Sequence, residues 1–237
     1  FGARAKGGRG GRVYTVTRLE DYDPTTDKPI RGSFRAAVTA EGPRTVVFAV
    51  AGDIHLKAYL EIDQSFLTIA GQTAPGDGIC IRGKGVRIGP NDKPVHDVIV
   101  RYLRFRTGPG ERKGDSPDTL NINNAQRVIV DHCTVSWGVD ECLSITEHPF
   151  PYMKAGTVLN PDFKGPASLT EDITIQWSIV AEGLDDSTHE YGPHSKGLMV
   201  AYGPSRFTLH HNLIAHNVDR NPYLPAQGKD PWIADVR

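Results

Sequence analysis

Cysteine is scarce in this chain: three residues in 237, Cys80, Cys133 and Cys142. An odd count with no Cys-x-x-Cys pair argues against a disulfide framework and against a cysteine-built zinc site. Each cysteine reads as a small buried hydrophobe. Long apolar runs are missing as well. No segment approaches the roughly 20 residues that a spanning helix needs, so no membrane is expected as a partner. Nor does one sign of charge dominate. Lys and Arg number 27 against 28 Asp and Glu, a formal net charge of -1. Nucleic acid is therefore not an expected partner, and any polyanion must be held by local clusters. A basic and apolar leader is also lacking. The opening Phe1-Gly2-Ala3-Arg4 reads as the start of a mature secreted chain or of a fragment.

Helical periodicity is nearly absent. One helix is expected over 33–40, with Ser33 as N-cap before Phe34, Ala36, Ala37 and Val38. Turn formers, by contrast, are plentiful: 25 Gly and 17 Pro. Between them run short β-rich segments. Four share one pattern, 97–105, 127–135, 172–180 and 206–214. Each opens on a charged residue, continues through mostly apolar or β-branched residues, turns polar in the middle and ends apolar. Weaker copies occupy 45–50 and 65–70. No two-residue Asn-Gly or Asp-Gly hairpin joins matched strands. Similar segments at similar phase suggest stacked coils that bury like over like. The expected fold is all-β, a parallel β-helix forming a single domain over 1–237. Residues 109–117 and 147–170 read as long loops leaving the coils. No capping element is visible after Ile214, so further C-terminal coils are expected beyond this chain.

Polar chemistry concentrates in the later repeats. Asp118 and Asp140 each precede a short apolar strand, 120–122 and 143–145. From neighbouring coils they would share one hard cation; calcium takes several oxygens at about 2.3–2.6 Å. Turn-capping aspartates offer the bland alternative. Lys196 and Arg220 follow on later coils and would suit an acidic ligand, or else form ordinary surface pairs. His132, His194, His210 and His211 show no pair with a third ligand on a common element, which argues against zinc. Asp131-His132 reads as a buried structural pair.

The string Val130-Asp131-His132-Cys133-Thr134-Val135-Ser136 resembles the Trp-Ile-Asp-His signature of the pectate lyase superfamily, polysaccharide lyase family 1. Thr68-Ile-Ala-Gly-Gln-Thr-Ala-Pro-Gly-Asp-Gly78, Gly7-Gly-Arg-Gly-Gly11 and Ser136-Trp-Gly-Val-Asp-Glu141 resemble its bacterial and fungal branch. The resemblance implies a right-handed β-helix, Ca2+, and β-elimination on polygalacturonate by a secreted or periplasmic monomer. Carried over residue by residue, it makes Asp118 and Asp140 calcium ligands, Lys196 a grip on substrate carboxylate, and Arg220 the catalytic residue. Two positions depart from the pattern. Ser144 stands where a further calcium aspartate is expected, and Pro225 where a second arginine is. Glu141 would compensate from a turn; within a strand, alternation points it away. A polygalacturonase-type hydrolase using Asp185 and Asp186, or a non-catalytic carbohydrate-binding β-helix, are the competing readings.

Overall fold

Each repeat folds as part of one solenoid turn. The strand Val95–Arg101 ends in a one-residue corner at Tyr102 and continues as Leu103–Arg106. The same strand pair, with a two-residue corner, recurs as Ala125–Asp131 with Thr134–Ser136, Glu171–Gln176 with Ile179–Ala181, and Ser205–His210 with Leu213–Ala215. A third strand completes the coils: Val86–Ile88, Leu120–Asn123, Glu141–Thr146 and Lys196–Ala201. The computed structural model describes residues 1–90, 93–147, 169–201, 204–224 and 234–236. Among them the strands form three sheets of eight, six and five, with every pairing parallel. This is the expected right-handed parallel β-helix, the hand that parallel crossovers almost always take. Strand Ala234–Val236 pairs with Ser205–His210, one strand further than the sequence repeats reach.

Like stacks over like in the core. Leu67, Val98, Val128, Ile173 and Phe207 lie in register on successive coils, all fully buried. The three cysteines are free and buried as expected. The expected helix is present as Phe34–Val38, and the Ser33 hydroxyl accepts the Ala36 N–H at 3.3 Å. It buries Phe34, Ala37 and Val38 beside the first strand, Arg12–Val16. The glycines of 7–11 answer to close packing. A Cβ on Gly8 or Gly11 would strike the backbone of Arg44 or Pro43.

The charged residue that opens each repeat has a left-handed backbone. Asp97, Arg127, Asp172 and Arg206 have φ of 59°, 52°, 57° and 51°. Their charges alternate along the stack. Arg127 donates to Asp97 at 2.8 and 3.1 Å, and Arg206 donates to Asp172 at 2.8 and 2.9 Å.

His132 corrects the sequence reading. It is not buried: its side chain is 40% exposed at the corner after Ala125–Asp131, while Nδ1 lies 2.7 Å from Asp131 Oδ1. Tyr102, His132, Trp177 and His211 take left-handed backbones at equivalent corners. Their rings stack outside the solenoid at centroid spacings of 4.7, 6.1 and 4.1 Å. The polar centre of each repeat is this outward corner. Of the expected loop 147–170, residues 148–168 lie outside the described residues, and so does Pro225.

Candidate functional site

The chemistry-bearing residues meet where the coils turn into the five-stranded sheet. Leu120 pairs with Leu143, and Leu143 with Leu198. Two positions before Leu120 and Leu143 stand Asp118 and Glu141, so it is Glu141 that lies level with Asp118. The Glu141 N–H donates to Asp118 Oδ1 at 3.1 Å. Glu141 pairs in register with Lys196, and Lys196 bridges to Asp219. A row of charged residues therefore climbs the solenoid, two carboxylates, a lysine and a carboxylate: Asp118, Glu141, Lys196, Asp219. Asp140 adjoins this row, and carboxylate oxygens of Asp118, Asp140 and Glu141 all lie within 4.8 Å of one another.

Glu141 thus faces the site, against the reading from alternation. Alternation fails because Glu141 is the first residue of its strand and lies at a corner. Cys142 and Leu143 are both fully buried in succession. Ser144 is where it was expected, beside the acidic cluster. Its hydroxyl donates to Asp118 Oδ2 and accepts from Asn121 Nδ2, the latter at 2.7 Å. Glu141 brings a third carboxylate to this cluster.

Electrostatics at this corner are unfavourable without a cation. Burial, and then the neighbouring Asp140 charge, push the Asp118 carboxyl well above the usual range; the Ser144 hydrogen bond opposes them. Three clustered carboxylates, one of them buried, are an all-oxygen donor set of the kind that suits calcium. Arg220 supplies part of the missing charge by ion-pairing with Glu141 Oε1. It sits on a left-handed backbone at φ 59°. Its carbonyl accepts the Leu198 N–H at 2.7 Å, which fixes it to the coil that carries Lys196. Lys196 Nζ is 3.0 Å from Asp219 Oδ2. All four residues singled out from the sequence, Asp118, Asp140, Lys196 and Arg220, belong to this corner.

Two residues escaped the sequence reading. Asp219 follows Lys196 by a full coil, and no local pattern announces it. His189 lies in the loop before Lys196–Ala201. It is nearly buried, and its ring stacks on His194 at 3.6 Å. His194 Nε2 lies 2.8 Å from Asp140 Oδ1. Burial, outweighing Asp140, shifts the His194 imidazole below its ordinary pKa. Asp185 and Asp186 are exposed on the same loop.

No family model matches the chain. A probable pectate lyase C of Emericella nidulans is 43% identical over 223 residues, covering 94% of this chain and 42% of its own length. A probable pectate lyase C of Aspergillus fumigatus is 41% identical over 222 residues, with the same coverage of 94% and 42%. The chain therefore spans less than half the length of these curated relatives. Among solved structures, the major allergen of cedar pollen aligns over 90% of this chain and 57% of its own, with a TM-score of 0.55 at 20% identity. A Bacillus pectate lyase crystallised with trigalacturonate aligns over 88% of this chain and 57% of its own, with a TM-score of 0.51 at 13% identity. At these identities the two structures speak to the fold alone.

Proposed function

Starting from its kinship with the pectate lyases over 94% of its length, we propose that this chain carries the active corner of a secreted, monomeric pectate lyase. The observation that supports this most is the convergence of Asp118, Asp140 and Glu141 with Lys196 and Arg220. Cations beside a carboxylate cluster suit a substrate that is itself a polycarboxylate. The proposed reaction is β-elimination on α-1,4-linked polygalacturonate.

Asp118, Asp140 and Glu141 would hold the calcium. When bound, it would draw charge from the galacturonate carboxylate and acidify the adjacent C5–H. Lys196 grips that carboxylate as a point charge, leaving Asp219 for it. Arg220, the catalytic residue of this reading, takes the C5 proton. The C–H electron pair becomes the C4–C5 double bond, and the glycosidic oxygen leaves C4 with its own pair. Fixed positive charge beside the developing negative charge is the main source of rate. A guanidinium ordinarily keeps its proton to a pH above about 12. Activity should therefore rise steeply with pH.

The test is ultraviolet absorbance of the unsaturated product from polygalacturonate, with calcium and then with EDTA. Calcium-dependent growth of that absorbance is expected. Reducing-end release without unsaturation would overturn the lyase reading in favour of hydrolysis. Polymer binding with neither product would leave a carbohydrate-binding module.

A further inference from the structure

The far side of Asp140 carries a second donor set of different chemistry. His194 Nε2 lies 2.8 Å from Asp140 Oδ1, and His189 Nε2 lies 3.9 Å from Oδ2. One donor atom from each of Asp140, His189 and His194 falls within 4.8 Å of the other two. The two imidazoles stack at 3.6 Å with planes 12° apart, and the Nε2 of each is the atom nearest the Asp140 carboxylate.

The loop that bears the histidines is tied down. Thr188 Oγ1 donates to the Asp115 carbonyl at 2.9 Å, and the Gly114 N–H donates to the Thr188 carbonyl at 2.7 Å. The His194 N–H donates to the Asp185 carbonyl at 3.1 Å. His189 is only 4% exposed. This is a preformed cluster rather than a chance meeting of surface side chains.

We infer that Asp140, His189 and His194 form a site for a borderline transition-metal dication of the zinc or cobalt class, sharing Asp140 with the all-oxygen pocket. Imidazole nitrogen suits such metals, whereas calcium is held by oxygen. Two imidazoles and one carboxylate leave a fourth, open position. Occupation has a defined cost. The Tyr191 N–H donates to His189 Nδ1 at 3.2 Å, so that ring carries its hydrogen on Nε2. Metal binding moves this hydrogen to Nδ1 and hands the Tyr191 amide to water, on a turn where Tyr191 is 79% exposed. Because the rings stack face to face, one of them must also tilt out of the stack to bring both Nε2 lone pairs onto a common point. Because Asp140 serves both sites, a metal held by the histidines competes with calcium for its carboxylate. The consequence is inhibition by zinc that added calcium relieves.

The experiment is a Co2+ titration of the chelator-stripped chain, followed by its visible d–d absorption. One equivalent is expected to produce nitrogen-ligated bands. His194→Ala and His189→Ala should each weaken binding by about tenfold or more. Circular dichroism checks the fold of each variant. Should the buried His189→Ala not fold, His194→Ala and His194→Gln decide. Absence of bands in the wild-type chain, or unchanged affinity in folded His194 variants, would overturn the site. This readout needs no substrate, so its failure is distinct from failure of the lyase reading. Zinc should also raise the calcium required for half-maximal activity in the wild-type chain, and much less in His194→Ala.

Discussion

At the scale of single residues, the site is a balance of charges that no side chain settles alone. Lys196 and Arg220 are its cations, held by Asp219 and Glu141. Arg220→Ala should lower kcat by about 100-fold or more, as losing a preorganised charge at a reacting centre does. Lys196→Ala should raise KM and lower kcat together. Steady-state kinetics on polygalacturonate measure both. Arg220→Lys sharpens the assignment: near-wild-type rates at alkaline pH would refute an arginine-specific role. Asp118 makes a prediction about stability. Its folded pKa lies above the ordinary value of 3.8. It is therefore a group whose contribution is most favourable at acid pH and is lost as pH rises through the raised pKa. Without calcium, thermal stability should fall across that window, and Asp118→Asn should flatten the fall. Melting curves against pH, in EDTA, decide this.

At the scale of elements, the repeats owe their stacking to more than apolar burial. The left-handed residue opening each repeat of the eight-stranded sheet costs about 1–2 kcal/mol of backbone strain. The alternation of Asp97, Arg127, Asp172 and Arg206 offsets it with charge-assisted hydrogen bonds. Burial alone would raise the Asp97 pKa. Hydrogen bonds from Arg127, the Lys6 amide and His96 instead hold it at about 2. A depressed carboxylate stabilises the fold above its unfolded pKa, and that stability disappears as pH falls through about 2. Arg127→Ala should cost about 1.5–3 kcal/mol near neutrality. The deficit relative to wild type should shrink in acid, where Asp97 is protonated. Denaturant melts at two pH values test it.

At the scale of the whole molecule, each coil contacts chiefly its neighbours, so stability is nearly a sum along one axis. Ile173 is fully buried between Val128 and Phe207. Ile173→Ala should cost about 2–5 kcal/mol through its cavity. The acidic corner joins three successive coils, which carry Asp118, Glu141 and Lys196. A ligand there clamps them together. Calcium at about 100 times its Kd should add roughly 2.7 kcal/mol, seen as a higher melting temperature that EDTA reverses and Asp140→Asn abolishes.

The β-helix was legible because stacked coils repeat one burial pattern, and a repeated pattern survives in one dimension. Asp118, Asp140, Lys196 and Arg220 were legible through ordered motifs. Which carboxylate stands level with which was not, because it depends on register. The pairing of Leu120 with Leu143 sets Glu141, not Asp140, level with Asp118 in the stack. The exposure of His132 and the meeting of His189 with Asp140 depended on corners and loops. There the two-residue alternation of a strand breaks down, and only neighbouring coils decide where a side chain points. Sequence settled the coil and which polar residues it carries; tertiary structure settled the contacts between coils, because those contacts join residues tens of positions apart.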